Sequence, residues 1–162
     1  MPKFSLEIKV ELENVTNLQP EFVSSYRWHL KFCCSRCKET SDRWNYVSID
    51  EILEIPGSRG TANFVEKCKF CDCQNSLSIL SESFEPYVFE CSNQWRKMIV
   101  FECRGLEPTD FEPRGIWVAN SVESSSKFEH IDLNEKEWAD FDEKAQTPVG
   151  IFNFESRFSK IR

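Results

Sequence analysis

A chain of 162 residues is long enough for one ordinary domain, or two small halves, with a buried core, and fourteen Phe and five Trp against five Gly exclude a disordered chain. A net charge of −7 argues against binding nucleic acid by neutralising phosphates, and no apolar run reaches the length of a membrane span or of a signal-peptide core. The acid is unevenly placed, since residues 1–81 carry −1 and residues 82–162 carry −6.

The first element is plain. Phe4, Leu6, Ile8, Val10 and Leu12 alternate with Ser5, Glu7, Lys9 and Glu11, which predicts a half-buried strand. Asn14 and Asn17 mark a turn ahead of Pro20, and a second alternating run, Trp28, Leu30 and Phe32, leads directly into Cys34. Trp44, Tyr46, Val47 and Ile49 predict the returning strand. Pro56 to Gly60 reads as a loop, Ala62 to Glu66 as a strand into Cys68, and Leu77, Ile79 and Leu80 as the strand that leaves. Residues 81–93 read as a polar connector with Pro86, and Met98 to Cys103 as a strand. Residues 104–114, with Pro108 and Pro113, read as irregular. Short strands are expected at 116–119 and 127–133, an acidic helical turn at 134–144, and a last strand at 149–158. The fold class is therefore mostly β and sandwich-like.

Two cysteine pairs stand out within this pattern. Cys34 with Cys37 and Cys68 with Cys71 each form a C-x-x-C, separated by thirty residues. Two residues between thiolates let one backbone turn present both sulfurs to a single ion, and a second such turn completes a tetrahedron. Each turn also carries cations, Arg36 and Lys38 at the first and Lys67 and Lys69 at the second, which suits four thiolates whose charge exceeds that of a divalent ion. One Zn²⁺ is the leading reading. A redox couple ranks behind it, because a thioredoxin-type pair opens a helix in a βαβ unit and no such pattern surrounds these residues. Cu(I) and iron–sulfur centres rank last. Four sulfurs close the coordination sphere, so the site reads as structural. Eight cysteines without an export signal point to a reducing compartment, cytoplasmic with the nucleus as a second address, rather than to a disulfide framework.

The chain also contains a faint repeat. Val10 to Val15 lies over Phe101 to Leu106, and Glu39 to Ile49 over Glu123 to Leu133, with apolar positions falling on apolar positions. Two related antiparallel β halves are expected, 1–81 with a zinc-ribbon-like site and 82–162 acidic and without cysteine pairs at the matching turns, joined in one compact unit.

Taken together, Trp28-His29-Leu30-Lys31 before Cys34-Ser35-Arg36-Cys37, Ser41 to Trp44, Arg59-Gly60 before Lys67 to Cys71, Phe101 to Pro108, Asp142 to Gln146 and Val149 to Ile151 resemble the eukaryotic CXXC-motif-containing zinc-binding protein family over nearly the whole chain. The resemblance implies a single zinc on Cys34, Cys37, Cys68 and Cys71 in a mostly β protein of two related halves. It further implies a soluble intracellular protein near metal handling, with a protein partner of the copper-chaperone type; a monomer is expected. It implies no catalytic residues.

Several side chains lie outside that core reading. Cys33 and Cys73 flank the pairs and are candidate accessory thiols, although a free cysteine ordinarily packs as a small hydrophobe. Cys103 sits on the inward side of an alternating strand, and Cys91 has no partner in the sequence. His29 is a weak candidate ligand beside four thiols, and His130 reads as a surface ring. Glu135, Glu137, Asp140, Asp142 and Glu143 surround Trp138 and Phe141. That cluster reads first as a solvated acidic face and second as a docking patch, with Trp138, Asp140, Phe141 and Asp142 as its contacts. The function expected is a non-enzymatic, zinc-stabilised protein in interaction or metal homeostasis. Two alternatives stand beside it: a zinc-scaffolded thiol oxidoreductase of the methionine sulfoxide reductase B type, with Cys103 as nucleophile, and a carrier that exchanges zinc or Cu(I).

Overall fold

The computed structural model describes all of residues 1–162. Its strands are β1 (Lys3–Glu13), β2 (Val15–Pro20), β3 (Trp28–Cys34), β4 (Asn45–Val47), β5 (Leu53–Glu54), β6 (Thr61–Ala62), β7 (Phe64–Lys67), β8 (Gln74–Leu80), β9 (Arg96–Arg104), β10 (Leu106–Glu112), β11 (Trp117–Ser121), β12 (Lys127–Ile131), β13 (Trp138–Asp142) and β14 (Thr147–Ile161). Helix is confined to 3-10 turns at Ser81–Ser83 and Phe89–Cys91. Six strands form one sheet in the order β13-β14-β1-β9-β8-β7, two three-stranded sheets run β10-β3-β4 and β12-β11-β2, and β5 pairs with β6.

β1 is central because its alternation buries one full face. Phe4, Leu6, Ile8, Val10 and Leu12 are all buried, while Glu7 and Glu11 on the other face are not. Antiparallel pairing to β14 on one side and β9 on the other satisfies its backbone. The two small sheets pack onto the large one through aromatic rings. Trp28 on β3 meets Phe101 on β9 at 6.3 Å, Phe111 on β10 meets Phe154 on β14 at 6.5 Å, and Trp117 on β11 meets Phe154 at 6.0 Å. Tyr26 sits edge-on to both tryptophans, 4.8 Å from Trp28 and 5.7 Å from Trp117. These residues belong to one contiguous core of 29 buried side chains.

The strand orders have an internal two-fold relation. The large sheet reads the same from either end when β1 is exchanged for β9, β14 for β8 and β13 for β7. The small sheets exchange in the same way, β10-β3-β4 for β2-β11-β12. Each small sheet therefore borrows a strand from the other half. Asn14 between β1 and β2 and Gly105 between β9 and β10 are the matching hinges, and both have positive φ, 56° and 82°. Val47 and Ile131 match as well, each fully buried opposite its own tryptophan. At the loops the repeat needs a gap. The Cys34 amide bonds to the Glu39 carbonyl and the Ser121 amide to the Ser126 carbonyl, so Glu39 corresponds to Ser126 rather than to Glu123.

Three expected segments differ. Residues 106–112 form β10 despite Pro108, because β10 is an edge strand, where a missing amide costs no ladder bond, and a register shift follows between Pro108 and Asp110. The acidic stretch expected as a helical turn contains strand β13, which pairs with β14 from Trp138 opposite Ile151 to Asp142 opposite Thr147. Residues 15–20 form β2 rather than a turn, with Asn17 at φ 56°. No helix is long and apolar enough to cross a membrane.

Candidate metal centre

The two C-x-x-C segments fold into the same turn at the ends of two hairpins. In the β3–β4 connection the Lys38 amide bonds to the Cys34 carbonyl at 2.8 Å and the Cys34 amide to the Glu39 carbonyl at 3.0 Å. In the β7–β8 connection the Asp72 amide bonds to the Cys68 carbonyl at 3.0 Å and the Cys68 amide to the Cys73 carbonyl at 2.9 Å. Both turns close through a residue in the left-handed region, Lys38 at φ 65° and Asp72 at φ 61°. That closure curls the backbone so that both sulfurs of a pair point to one side.

The structure brings all four sulfurs together. Cys34 Sγ lies 3.7 Å from Cys71 Sγ, Cys37 Sγ lies 3.7 Å from Cys68 Sγ, and all four sit within 4.8 Å of one another. Sulfurs bound at about 2.3 Å to a tetrahedral ion are separated by about 3.8 Å, so the cluster has the dimensions of a Zn–S₄ site. None of the eight cysteines is in a disulfide. Cys34 and Cys68 are buried and Cys37 and Cys71 half-buried, a closed arrangement.

The electrostatics call for a cation. Burial opposes ionisation of Cys34, but the amides of Cys37 and Arg36 and the side-chain amide of Asn75 outweigh it and bring the thiol down to about 6. At Cys71 the Cys73 amide favours the thiolate, yet desolvation and the neighbouring sulfurs of Cys34, Cys68 and Cys37 prevail and push it up to about 12. The Glu39 amide likewise fails to offset desolvation and the Cys68 and Cys34 sulfurs at Cys37, whose thiol is raised. The Cys34 thiolate is favoured while Cys37 and Cys71 resist ionisation, until a divalent ion supplies the missing charge. Arg36, Lys38, Lys67 and Lys69 are all solvent-exposed, so they offset the remaining negative charge only through water.

A supporting layer orients the cluster. Asn75 on β8 is buried and its Nδ2 approaches Cys34 Sγ at 3.7 Å. Its Oδ1 faces Gly105, where a Cβ would stand only 2.2 Å away. Gly105 also receives the Ser35 amide on its carbonyl at 3.0 Å, so the β9–β10 hinge props the first turn directly. Sequence reading missed Asn75 and Gly105. The signal available was a lone glycine between two apolar runs beside a strand that leaves the second C-x-x-C.

Residues 5–159 match the family described as "CXXC motif containing zinc binding protein, eukaryotic". The chain belongs to this family. The CXXC motif containing zinc binding protein of Homo sapiens is 44% identical over 160 residues, covering 99% of each chain. A UPF0587 protein of Caenorhabditis elegans is 48% identical over 162 residues, covering all of this chain and 97% of its own. Among solved structures, the crystal structure of C1orf123 superposes with a TM-score of 0.92 at 44% identity, covering 98% of this chain and 99% of that one. A hypothetical protein from Plasmodium falciparum gives a TM-score of 0.86 at 31% identity, covering 98% of this chain and 100% of that one. As a member of the CXXC motif containing zinc binding family, the chain is a zinc-binding protein, and its one four-cysteine cluster suits a single ion. Bound there, zinc supplies a cross-link between the β3–β4 and β7–β8 hairpins.

The other candidate residues fall elsewhere. The thiol of Cys33 turns to the Cys34 carbonyl at 3.6 Å and that of Cys73 to the Gln74 carbonyl at 3.9 Å, so neither enters the sulfur cluster. His29 lies along β3 opposite Glu112 and Tyr46, outside the cluster, and His130 is exposed. Cys103 is 1% exposed, and its thiol is pushed up to about 12 by burial, then by the charges of Glu107 and Glu102. Cys91 is half-buried, 3.2 Å from the Arg96 guanidinium. The expected docking patch divides. Phe141 is 47% exposed and Asp140 is exposed, but Trp138 packs edge-on against Phe128 at 5.5 Å. Asp142 is a correction, because at 1% exposure it faces inward among serine hydroxyls and has no surface to offer a partner.

Proposed function

We propose that the chain is a non-enzymatic binding protein whose zinc is structural, acting in protein interaction or metal homeostasis. The observation that carries the reading is the closed four-sulfur geometry, in which each sulfur belongs to a turn held by backbone bonds and none of the four positions is left to water. Cys103, deep in the core with a raised thiol, lacks the access and thiolate character that a nucleophile needs, which supports the non-enzymatic side. Zinc then acts through folding, since apparent affinities of about 10–16 kcal/mol at structural sites match or exceed the roughly 5–15 kcal/mol stability of a whole domain.

Two surface features support a protein partner. Phe70, at the tip of the second turn, is 71% exposed, and beside it a cavity of about 270 Å³ is lined by Phe32, Thr40, Arg43, Glu66 and Lys69. Phe141 with Asp140 is a second exposed patch, on the acidic half. A copper-chaperone-type protein in the cytoplasm fits this reading. The decisive experiment is metal content of the purified protein together with its Cys34→Ser and Cys68→Ser variants, followed by hydrogen exchange after chelation. The reading expects one zinc per chain in the wild type, loss of the ion in both variants, and loss of protection at both hairpin tips on chelation. Unchanged exchange in stripped protein refutes a structural role.

A further inference from the structure

We infer that the second half keeps the strand register and turn ends of the metal centre, with a buried carboxylate in the place of the ion and without the left-handed closure that Lys38 gives the first cysteine turn. The correspondence can be followed residue by residue. Leu106 on β10 stands opposite Cys34, and Val15 on β2, its counterpart across the two-fold, stands opposite Ser121. The Ser35 amide meets the Gly105 carbonyl at 3.0 Å, and the Val122 amide meets the Asn14 carbonyl at 3.0 Å. Cys34 closes its turn on Glu39 at 3.0 Å, and Ser121 closes its own on Ser126 at 2.9 Å. On the other hairpin pair, Phe64 faces Leu77 as Trp138 faces Ile151, so counting along the strands sets Cys68 on Asp142. The closing residues of those two turns, Asp72 and Gln146, both lie in the left-handed region, at φ 61° and 57°. The positions of Cys34, Cys37, Cys68 and Cys71 thus fall on Ser121, Ser124, Asp142 and Ala145.

The space between them is filled from within the chain. Asp142 Oδ2 accepts hydrogen bonds from Ser121 Oγ at 2.5 Å and Ser124 Oγ at 2.7 Å. Its Oδ1 accepts from Ser126 Oγ at 2.9 Å and from the amides of Lys144 and Ala145 at 3.1 and 3.2 Å. Ser121 Oγ in turn accepts from the amides of Glu123 and Ser124, which fixes the hydroxyl that donates to Asp142. Three donors come from the β11–β12 tip and two from the β13–β14 tip, so one carboxylate ties two hairpins as the sulfur cluster ties β3–β4 to β7–β8. A carboxylate is an acceptor only, with about four lone-pair sites. Five donors leave none for a cation, and the site is a metal-free clamp. The bond from Ser121 above all, with those from Ser124 and Ser126, holds the carboxyl well below the usual carboxylate range despite its burial.

Two measurements on the full chain test this. The first is zinc content, with cobalt absorption as the thiolate readout, of the variant Ser121→Cys, Ser124→Cys, Asp142→Cys and Ala145→Cys. If the scaffold is a metal turn without its sulfurs, the folded variant takes up a second equivalent of zinc and its cobalt–thiolate band doubles. A folded variant that still holds one equivalent overturns the inference. The second is hydrogen exchange of Asp142→Asn, which keeps the side-chain shape and removes the charge. Exchange at the Lys144, Ala145, Glu123 and Ser124 amides rises tenfold or more, while that of the cysteine turns stays put. Unchanged exchange at those four amides overturns the clamp whether or not the four-cysteine variant folds.

Discussion

Gly105 shows how much one residue can carry. It needs φ +82°, a region that costs a residue with a side chain about 1–2 kcal/mol, and it leaves room for the Asn75 amide that points at Cys34. Gly105→Ala is expected to lower stability by at least that amount in denaturant titrations and to speed zinc loss to a chelator, because the new methyl drives Asn75 away from the sulfur. Loss of stability with unchanged zinc release would separate the backbone effect from the metal and refute the second part. Cys103 makes the opposite kind of prediction. Its folded thiol, raised by burial to about 12, binds its proton more tightly than the ordinary value of 9 that applies when the chain is unfolded. Its contribution to stability is therefore complete below about pH 9 and is lost as the pH climbs from there toward 12. In the zinc-loaded protein at pH 8, alkylation followed by peptide mapping should leave Cys103 unmodified until denaturant is added, and rapid labelling there would revive a nucleophilic role. Asn75 and Gly105 were marked in the sequence only by the lone glycine, since their importance arises where β8 and the β9–β10 hinge meet.

At the scale of the element, the cysteine turns and the strands that lead into and out of them were readable in the sequence, and two edge strands elsewhere were not. C-x-x-C spacing is a local property, so Cys34, Cys37, Cys68 and Cys71 could be grouped before any fold was known. β10 and β13 were hidden because their sequences carry proline and acid, and both lie at sheet edges where those residues are tolerated. Asp142 looked like surface charge because the hydroxyls that bury it belong to another hairpin. The turns also carry strain that can be relieved. Lys38 closes the first one at φ 65°, a conformation that glycine adopts freely. Lys38→Gly is expected to leave zinc content at one per chain and to raise the stability of the zinc-loaded protein by about 0.5–1 kcal/mol, the left-handed cost removed less the entropy glycine adds. A drop in the denaturation midpoint would mean that the Lys38 side chain contributes something its exposed position does not suggest.

For the whole molecule, the interlocked strand orders decide what can fold alone. β1 lies between β9 and β14, β2 completes the small sheet of the second half, and β10 completes that of the first. Cutting between the halves would strand β2 and β10 away from their partners and open the contact of β1 with β9, where Phe4 stands opposite Phe101 and Leu6 opposite Ile99. It would also part Tyr26 from Trp117, a ring contact at the centre of the core. A fragment of residues 1–81 would keep all four cysteines, yet only β3-β4 and β7-β8, with the short β5-β6 pair, would retain neighbours from their own half. We therefore expect that fragment, with zinc present, to bind the ion through its cysteines while lacking the dispersed amide resonances and cooperative melting of the intact chain. Mixing it with residues 82–162 should restore both, because all the missing strand pairings lie between the fragments. Cooperative unfolding of residues 1–81 in isolation, at a midpoint near that of the full chain, would mean that the first half is a self-sufficient domain and that the exchange of β2 and β10 contributes little to its stability.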